Sequence, residues 1–144
     1  MSASLEELLP ASEQERVVAA IRRAEGKTSG QVKVHLDARC IGPARRRAER
    51  LFVRLGLSGT RHRNAVLLYV AVRDHKYAIL GDSGIHEAVG GSFWESAAAR
   101  MKDAFARGAL GDGLVGAIEA IGEKLAERFP PGQTSNEISD DISH

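Results

Sequence analysis

Residues 64–72 (NAVLLYVAV) restrict the fold of this chain more than any other stretch of the sequence. The segment is apolar at nearly every position and has the length of a β-strand, far short of the ~18 apolar residues of a membrane span. A strand that is apolar on both faces needs a packed layer on each side. The segment therefore predicts the central strand of an α/β domain.

Two further strands are predicted beside it. Residues 31–37 (QVKVHLD) alternate apolar with polar side chains, as a strand with one solvated face does. Residues 76–80 follow the central strand after a turn at residues 73–75, so these two strands form a hairpin. A helical crossover makes the first two strands parallel, whereas the hairpin makes the third antiparallel to the second. We therefore expect a small mixed sheet.

Helical periodicity in the remaining segments supplies the outer layers. Apolar residues recur there at intervals of three and four. The predicted helices cover residues 12–26, 43–56, 85–89, 92–108 and 113–129. The expected fold class is α/β, a three-layer α/β/α sandwich with a small mixed sheet, formed by a single domain over residues 1–131. Residues 132–144 are predicted to be an acidic C-terminal tail with no core of its own.

Charge and cysteine content exclude several functional classes. The chain has 20 basic and 19 acidic residues, so its overall charge favours no class of partner, and no motif indicates specific nucleic-acid binding. Cys40 is the single cysteine, which excludes an intramolecular disulfide, and no histidine pair has the spacing of zinc ligands. The sequence contains neither a signal-peptide pattern nor a membrane span, so we expect a cytoplasmic monomer.

Several strings along the chain together resemble the TPM domain family, whose types include thylakoid-lumen, photosystem-repair and acetylcholine-receptor-modulator proteins. The strings are AIRRAEGKTSGQVKVHLD (20–37), RNAVLLYVAVRDHKYAILGDSGIHEAVGGSFWE (63–95) and GLVGAIEAIGEKLAERFP (113–130). The ending NEISDDIS (136–143) is similar to the tails of short, stand-alone members. The strings agree with the family in order and spacing and cover nearly the whole chain.

The resemblance implies an α/β/α sandwich and the binding of Ca²⁺ or Mg²⁺, which is a property of several members. It also implies a phosphatase-like activity, which belongs to the plant branch. Short members usually carry Glu and Gly where this chain has Gln31 and Ala65.

A cation site is predicted at one end of the sheet. Because the third strand is antiparallel, its end at Asp82 returns to the edge where the first two strands begin, beside Gln31 and Asn64. Hard cations take carboxylate and amide oxygens as ligands. The predicted metal ligands are Asp82, Gln31 and Glu87. The alternative is structural: Asp82 and Ser83 cap the next helix, and Gln31 pairs with a strand edge.

Two patterns imitate catalytic motifs. Cys40 and Arg46 are separated by five residues (CIGPARR), as in cysteine-dependent phosphatases. Pro43 removes one of the N–H groups that such a phosphate loop needs, and Gly42 is displaced by one position from the usual glycine. Ser83 lies in GDSG, the tetrad of chymotrypsin-like proteases, but those enzymes need two β-barrels that this chain is too short to form. We therefore predict no catalytic residue.

A stretch between Arg39 and Arg63 is rich in arginine, and Glu49 is its only acidic residue. This basic face suits an anionic partner, although no aromatic residues are interleaved for base stacking. The predicted partner-binding residues are Arg45, Arg46 and Arg50. The alternatives are an ordinary solvated helix face and a contact with the acidic tail.

Three functional hypotheses follow from these observations. The first is a TPM-like module that binds Ca²⁺ or Mg²⁺ and acts through interaction with an unidentified protein partner, without chemistry of its own. The second is a metal-assisted phosphomonoesterase, in which the cation polarises a phosphoryl oxygen. The third is an adaptor that binds an anionic partner through the Arg39–Arg63 basic face.

Overall fold

The computed structural model describes residues 4–86, 91–131 and 138–144. Its helices are α1 (Leu5–Leu8), α2 (Ala11–Gly26), α3 (Ala44–Arg54), α4 (Ser83–His86), α5 (Gly91–Arg107) and α6 (Leu110–Arg128), with a 3-10 turn at Leu57–Gly59. Its strands are β1 (Gln31–Asp37), β2 (Ala65–Ala71) and β3 (Lys76–Gly81). The predicted order of strands and long helices is confirmed.

The three strands form one mixed sheet in the order β1-β2-β3. β1 and β2 are parallel, with Gln31 opposite Ala65, while β2 and β3 are antiparallel, with Val66 opposite Gly81. The turn of the hairpin includes His75 in the left-handed conformation, at φ 54°. β2 is buried along its whole length, as its apolar sequence predicts for a strand that is covered on both faces.

Two cores lie on opposite faces of the sheet, which confirms the α/β sandwich. On one face Val32, Val34 and Leu36 of β1 pack with side chains from α2, α5 and α6. On the other face the alternate residues of β2, among them Leu67 and Tyr69, pack against α3. α3 buries Ala48, Leu51 and Phe52, and its arginines lie on the remaining surface.

The described part of the C-terminal segment packs against the sheet. Residues 138–144 return to the free edge of β1, where Ser143 forms a parallel bridge with His35, and Ile142 enters the main core. The polar face of β1 was expected to be solvated, and this expectation is wrong: Gln31, Lys33 and His35 are all buried. The reason is that the returning segment covers them.

None of the helices in residues 4–86, 91–131 and 138–144 combines the length and apolar character needed to cross a lipid bilayer.

Candidate functional site

The structure places Asp82 at the edge of the sheet where β1 and β2 begin. Its backbone N–H donates to the carbonyl of Ala65 at 3.0 Å, and the carbonyl of Asn64 accepts from the N–H of Gln31 at 3.3 Å. The antiparallel course of β3 therefore brings Gln31, Asn64 and Asp82 to the same end of the sheet. Glu87, the third predicted ligand, lies outside the described residues.

The carboxylate of Asp82 already has a counter-ion. Arg63 donates from Nε to Oδ2 at 3.0 Å and from Nη2 to Oδ1 at 3.4 Å, and the N–H of Ser83 donates to Oδ1 at 2.7 Å. Arg45 lines a small cavity of about 210 Å³ together with Asp82 and Glu49. The side chain of Asp82 thus pairs with an arginine and accepts from the N–H of Ser83, the first residue of α4.

The donor set at this edge does not fit a hard divalent cation in the observed arrangement. The amide oxygen of Gln31 accepts from the N–H of Ile138 at 3.2 Å, and both oxygens of Asp82 are engaged. Asn64 Oδ1 is buried and has no hydrogen-bond partner, which leaves one amide oxygen for a cation that takes six to eight. Nowhere among residues 4–86, 91–131 and 138–144 do three or more His, Cys, Asp or Glu side chains converge.

A larger cleft lies at the opposite end of the sheet, where the parallel strands β1 and β2 end. Its volume is about 490 Å³, within the range of small-molecule sites. Ligands of α/β proteins bind at the carboxyl ends of parallel strands, in the crevice between the loops that follow them. The polar side chains of this basic cleft are Asp37, Arg39, Cys40, Arg47, Arg50, Arg73 and His144.

Asp37 is the acidic residue of the basic cleft, and its carboxylate is saturated with donors. It accepts from Tyr69 OH at 2.8 Å, from Arg47 Nε at 3.0 Å and from the ring of His35, whose Nε2 lies 3.0 Å away. Burial opposes ionisation, but these three hydrogen bonds together hold the pKa of Asp37 below its ordinary value. Asp37 is therefore ionised, and its hydrogen bonds orient the side chains of Arg47, Tyr69 and His35.

The other arginines of the basic cleft differ in how firmly they are held. Arg39 Nη1 pairs with Asp74 at 2.8 Å, and Arg73 Nη2 lies 3.8 Å from Glu7. Arg50 is exposed and forms no ion pair within the described part of the chain. The cleft therefore presents a surplus of positive charge, centred on Arg50, to a space that is large enough for a small anion.

The loop between β1 and α3 forms one wall of the basic cleft, and Asp74 of the hairpin turn and Lys76 of β3 fix it. Asp74 Oδ2 accepts from the N–H of Cys40 at 2.8 Å, and Lys76 Nζ donates to the carbonyls of Cys40 and Gly42 at 2.8 and 3.0 Å. Gly42 has φ +82°, a conformation that favours glycine. The conformation of Gly42 thus shapes this wall, and hydrogen bonds with Asp74 and Lys76 hold it in place.

Cys40 does not sit in a phosphate loop. Its Sγ lies 3.9 and 3.8 Å from the carbonyl oxygens of Ile41 and Gly42, whereas a thiolate phosphatase surrounds the sulfur with N–H donors. Arg46 is not among the residues that line the cleft. The Cys40–Arg46 spacing is therefore not accompanied by the loop geometry of a thiolate phosphatase.

The predicted partner-binding arginines are not brought together. Arg50 lines the basic cleft, Arg45 lines the small cavity beside Asp82, and Arg46 is exposed and lines neither. Residues 45 and 50 are five positions apart on α3, so they point in directions about 140° apart. Arg47, Arg73 and Asp37 were not predicted as site residues, because only the fold places the ends of β1 and β2 beside α3.

His35 and Asp37 form a buried pair that the alternation of β1 signals, since residues two apart on a strand share a face. Desolvation lowers the pKa of His35, so the ring is neutral near pH 7. Ser143 Oγ lies 2.8 Å from His35 Nδ1, which completes a Ser–His–Asp chain of hydrogen bonds. Ser143 does not line the basic cleft, and this chain of hydrogen bonds fastens the C-terminal segment to β1.

Comparison with known proteins agrees with this architecture. The solution structure of the BA42 protein from the psychrophilic bacterium Bizionia argentinensis matches with a TM-score of 0.88 and 38% identity, covering 97% of each chain. The N-terminal domain of the cg2496 protein from Corynebacterium glutamicum matches with a TM-score of 0.66 and 12% identity, covering 94% of this chain and 86% of that one, which is a likeness of fold alone. No curated protein matches the chain.

The profile of the TPM domain matches residues 3–124, most of the chain. The predicted resemblance is thereby confirmed, and the match covers every strand and every long helix except the end of α6. This chain belongs to the TPM domain family.

Proposed function

We propose that this TPM domain is a binding module for a small anionic ligand, a phosphate or carboxylate group, held in the basic cleft at the carboxyl ends of β1 and β2. The observation that supports the proposal is the cleft itself. Four arginines line it, and the carboxylate of Asp37 already accepts three hydrogen bonds. An anion is the ligand that this surplus of donors attracts.

Arg47 and Arg50 are the groups that bind the ligand in this proposal. They lie three residues apart on α3 and therefore share one face of that helix. Arg47 is oriented by its bond to Asp37, so its guanidinium loses little further freedom when a ligand arrives. Arg50 has no competing carboxylate within the described residues and supplies the uncompensated charge. The proposal keeps the positive charge of the third hypothesis, the adaptor for an anionic partner, but replaces the partner by a small anion and uses a different set of arginines.

Titration with inorganic phosphate, followed by calorimetry or amide chemical shifts, tests the proposal. We expect saturable binding whose amide shifts lie in residues 37–41 and along α3. Arg50→Gln should weaken it at least about tenfold, since a charge-assisted hydrogen bond contributes about 1.5–3 kcal/mol. Arg46→Gln is the matched control, because Arg46 lies on the same helix outside the cleft.

Two results would contradict an anion site in the cleft. The first is the absence of saturable binding at low salt. The second is an equal loss of affinity in the Arg46→Gln and Arg50→Gln proteins, which would indicate diffuse attraction to the surface of α3.

Binding of Ca²⁺ or Mg²⁺ near Asp82 stays a prediction, and it has its own test. A cation there must replace Arg63, whose side chain is 55% exposed. A ligand at 100 times its Kd stabilises a protein by about 2.7 kcal/mol. We would measure Tm after chelation and on adding each metal, with Asp82→Asn as the control; a shift that Asp82→Asn does not change would remove Asp82 from the ligand set.

The phosphomonoesterase hypothesis also stays a prediction. It shares its ligand chemistry with the proposed anion module, because both need a site for a phosphoryl group. A generic phosphate ester assayed with the same protein samples separates the two. Turnover that is lost in the Arg50→Gln protein would extend the module to an enzyme.

A further inference from the structure

Ser143 forms one isolated parallel bridge to the free edge of β1, and the rest of residues 138–144 makes no ladder with that strand. The N–H of Leu36 donates to the carbonyl of Ser143 at 2.9 Å, and the N–H of Ser143 donates to the carbonyl of Val34 at 3.0 Å. This pattern is that of a parallel pair of strands. An extended peptide that pairs with a sheet edge in this way is a common mode of peptide recognition.

The side chains on the polar face of β1 each contact a different residue of this segment. Gln31 Oε1 accepts from the N–H of Ile138 at 3.2 Å, and His35 Nδ1 lies 2.8 Å from Ser143 Oγ. Lys33 Nζ donates to the carbonyl and side chain of Asp141 at 2.8 and 3.1 Å. Lys33 Nζ also donates to the carbonyl and hydroxyl of Ser139 at 3.4 and 3.3 Å. The polar face of β1 thus contacts side chains of the segment as well as its backbone groups.

Two features make this surface selective for an acidic peptide. The side chain of Lys33 is only 5% exposed, and a buried ammonium group needs an opposite charge, which Asp141 supplies. Between the two polar contacts, Ile142 is buried in the main core. The groove therefore requires a carboxylate, an apolar side chain and a hydroxyl at successive positions, as in Asp141-Ile142-Ser143.

We propose that the polar face and free edge of β1 form a groove for an extended acidic segment of a partner protein, and that residues 138–144 are its resident competitor. Polar contacts to β1 hold the segment, but it buries little of its own surface. Ser139, Asp141 and His144 are exposed, and Ile142 is the one residue of 138–144 that is buried. A segment with so few buried apolar contacts opens at a lower free energy than the strands of the sheet.

The tethered segment competes with a partner for the groove and therefore lowers the apparent affinity of the partner. A tethered segment acts at an effective concentration of about 1 mM. If the segment as a free peptide has a Kd of about 100 μM, its tethered form weakens the binding of a partner about tenfold. Weakening the resident segment should therefore strengthen the binding of a peptide supplied in trans.

The test uses the full chain and a fluorescent peptide with the sequence of residues 138–144, ISDDISH. Ser143→Pro in the protein removes the N–H that bonds to Val34 and the hydroxyl that contacts His35, while every side chain of the sheet and of the long helices stays the same. We expect the Ser143→Pro protein to bind the peptide about tenfold more tightly than the wild type. The peptide ISDNISH, which lacks the carboxylate that faces Lys33, should bind the Ser143→Pro protein about tenfold more weakly than ISDDISH.

A double-mutant cycle with Lys33→Met in the Ser143→Pro protein checks the contact directly, because the preference for ISDDISH over ISDNISH should disappear. Circular dichroism confirms that each variant is folded. Equal peptide affinity in the wild-type and Ser143→Pro proteins would overturn the proposal. So would equal binding of the two peptides to the Ser143→Pro protein. A doubling of the wild-type mass with rising concentration would also overturn it, in favour of segment exchange between two copies.

Discussion

Lys33 and Asp141 form an ion pair of 3.1 Å in which the two side chains have opposite exposure, 5% for the lysine and 76% for the aspartate. Lys33 lies in β1, whereas Asp141 lies in the C-terminal segment that covers Lys33. The pair therefore joins the end of the chain to β1 across more than 100 residues of sequence. The difference in exposure also determines which of these two residues is more sensitive to substitution.

We predict that Asp141→Asn destabilises the docked segment more than Lys33→Met does. The first change leaves a buried ammonium without its counter-ion, at a cost of about 1–3 kcal/mol. The second removes the buried charge and leaves Asp141 in solvent, where it remains hydrated. Hydrogen exchange at the amide of Ser143, which bonds to Val34, measures the opening of the segment. Slower exchange in Asp141→Asn than in Lys33→Met would contradict this account.

The contribution of Glu25 to stability should fall as pH rises from about 5 to 8. Burial, assisted by a hydrogen bond with Asp140 and opposed by the N–H of Val32 and the charge of Lys33, raises the pKa of Glu25 from 4.5 to about 9. The folded protein then keeps a proton that the unfolded chain releases above pH 4.5. The contribution of Glu25 to the free energy of unfolding therefore decreases across this window.

Glu25→Gln tests this pH dependence, because the amide keeps an oxygen for the N–H of Val32 and does not titrate. We expect the free energy of unfolding, measured with urea, to decline less with pH in the variant than in the wild type. Parallel curves for the two proteins would show that Glu25 is ionised in the folded state at neutral pH.

On the acid side, His35 should weaken the fold as pH falls below its unfolded pKa of 6.5. Desolvation lowers the pKa of His35 in the folded protein, although Asp37 opposes this and the charges of Arg47 and His144 assist it. His35 binds fewer protons in the folded protein than in the unfolded chain just below pH 6.5, so its contribution to stability rises with pH in that window. NMR titration of the ring protons of His35 should give a midpoint below 6.5, and a midpoint above 6.5 would contradict the assignment.

Gly122 should be intolerant of a side chain, because α6 packs closely against α2 there. A Cβ at Gly122 would lie 2.6 Å from the Cβ of Ala24, a separation that forces the helices apart. We expect Gly122→Ala to destabilise the domain by about 1–3 kcal/mol. Thermal unfolding measures the effect.

Gly116→Ala on the same helix is the control for this substitution. The nearest atom to a Cβ at Gly116 is the guanidinium of Arg100, 3.8 Å away on a flexible side chain. Alanine is a better helix former than glycine by about 1 kcal/mol, so this change should be neutral or stabilising. A loss of stability in Gly116→Ala equal to that in Gly122→Ala would indicate a general effect of helix propensity.

Local patterns were sufficient to predict the sheet and the helices that cover it. The apolar run that became β2, the turn before β3 and the heptad-like spacing in α6 each act within a few residues, where periodicity and turn chemistry dominate. The position of Asp82 beside Gln31 followed from strand direction alone. Its pairing with Arg63 did not, since both residues lie in connections whose course depends on the packed domain.

The sequence by itself determined the strand order, the layered fold and the family, because the hydrophobic pattern that specifies them is local and repeated. Only the tertiary structure decided which polar residues meet. The alternation of β1 shows that Lys33 and His35 share a face. It does not show whether solvent or a returning segment covers that face. The docked segment is favoured over solvent because Ile142 buries its side chain and Asp141 neutralises a desolvated charge. Both contributions exist only after the sheet has formed.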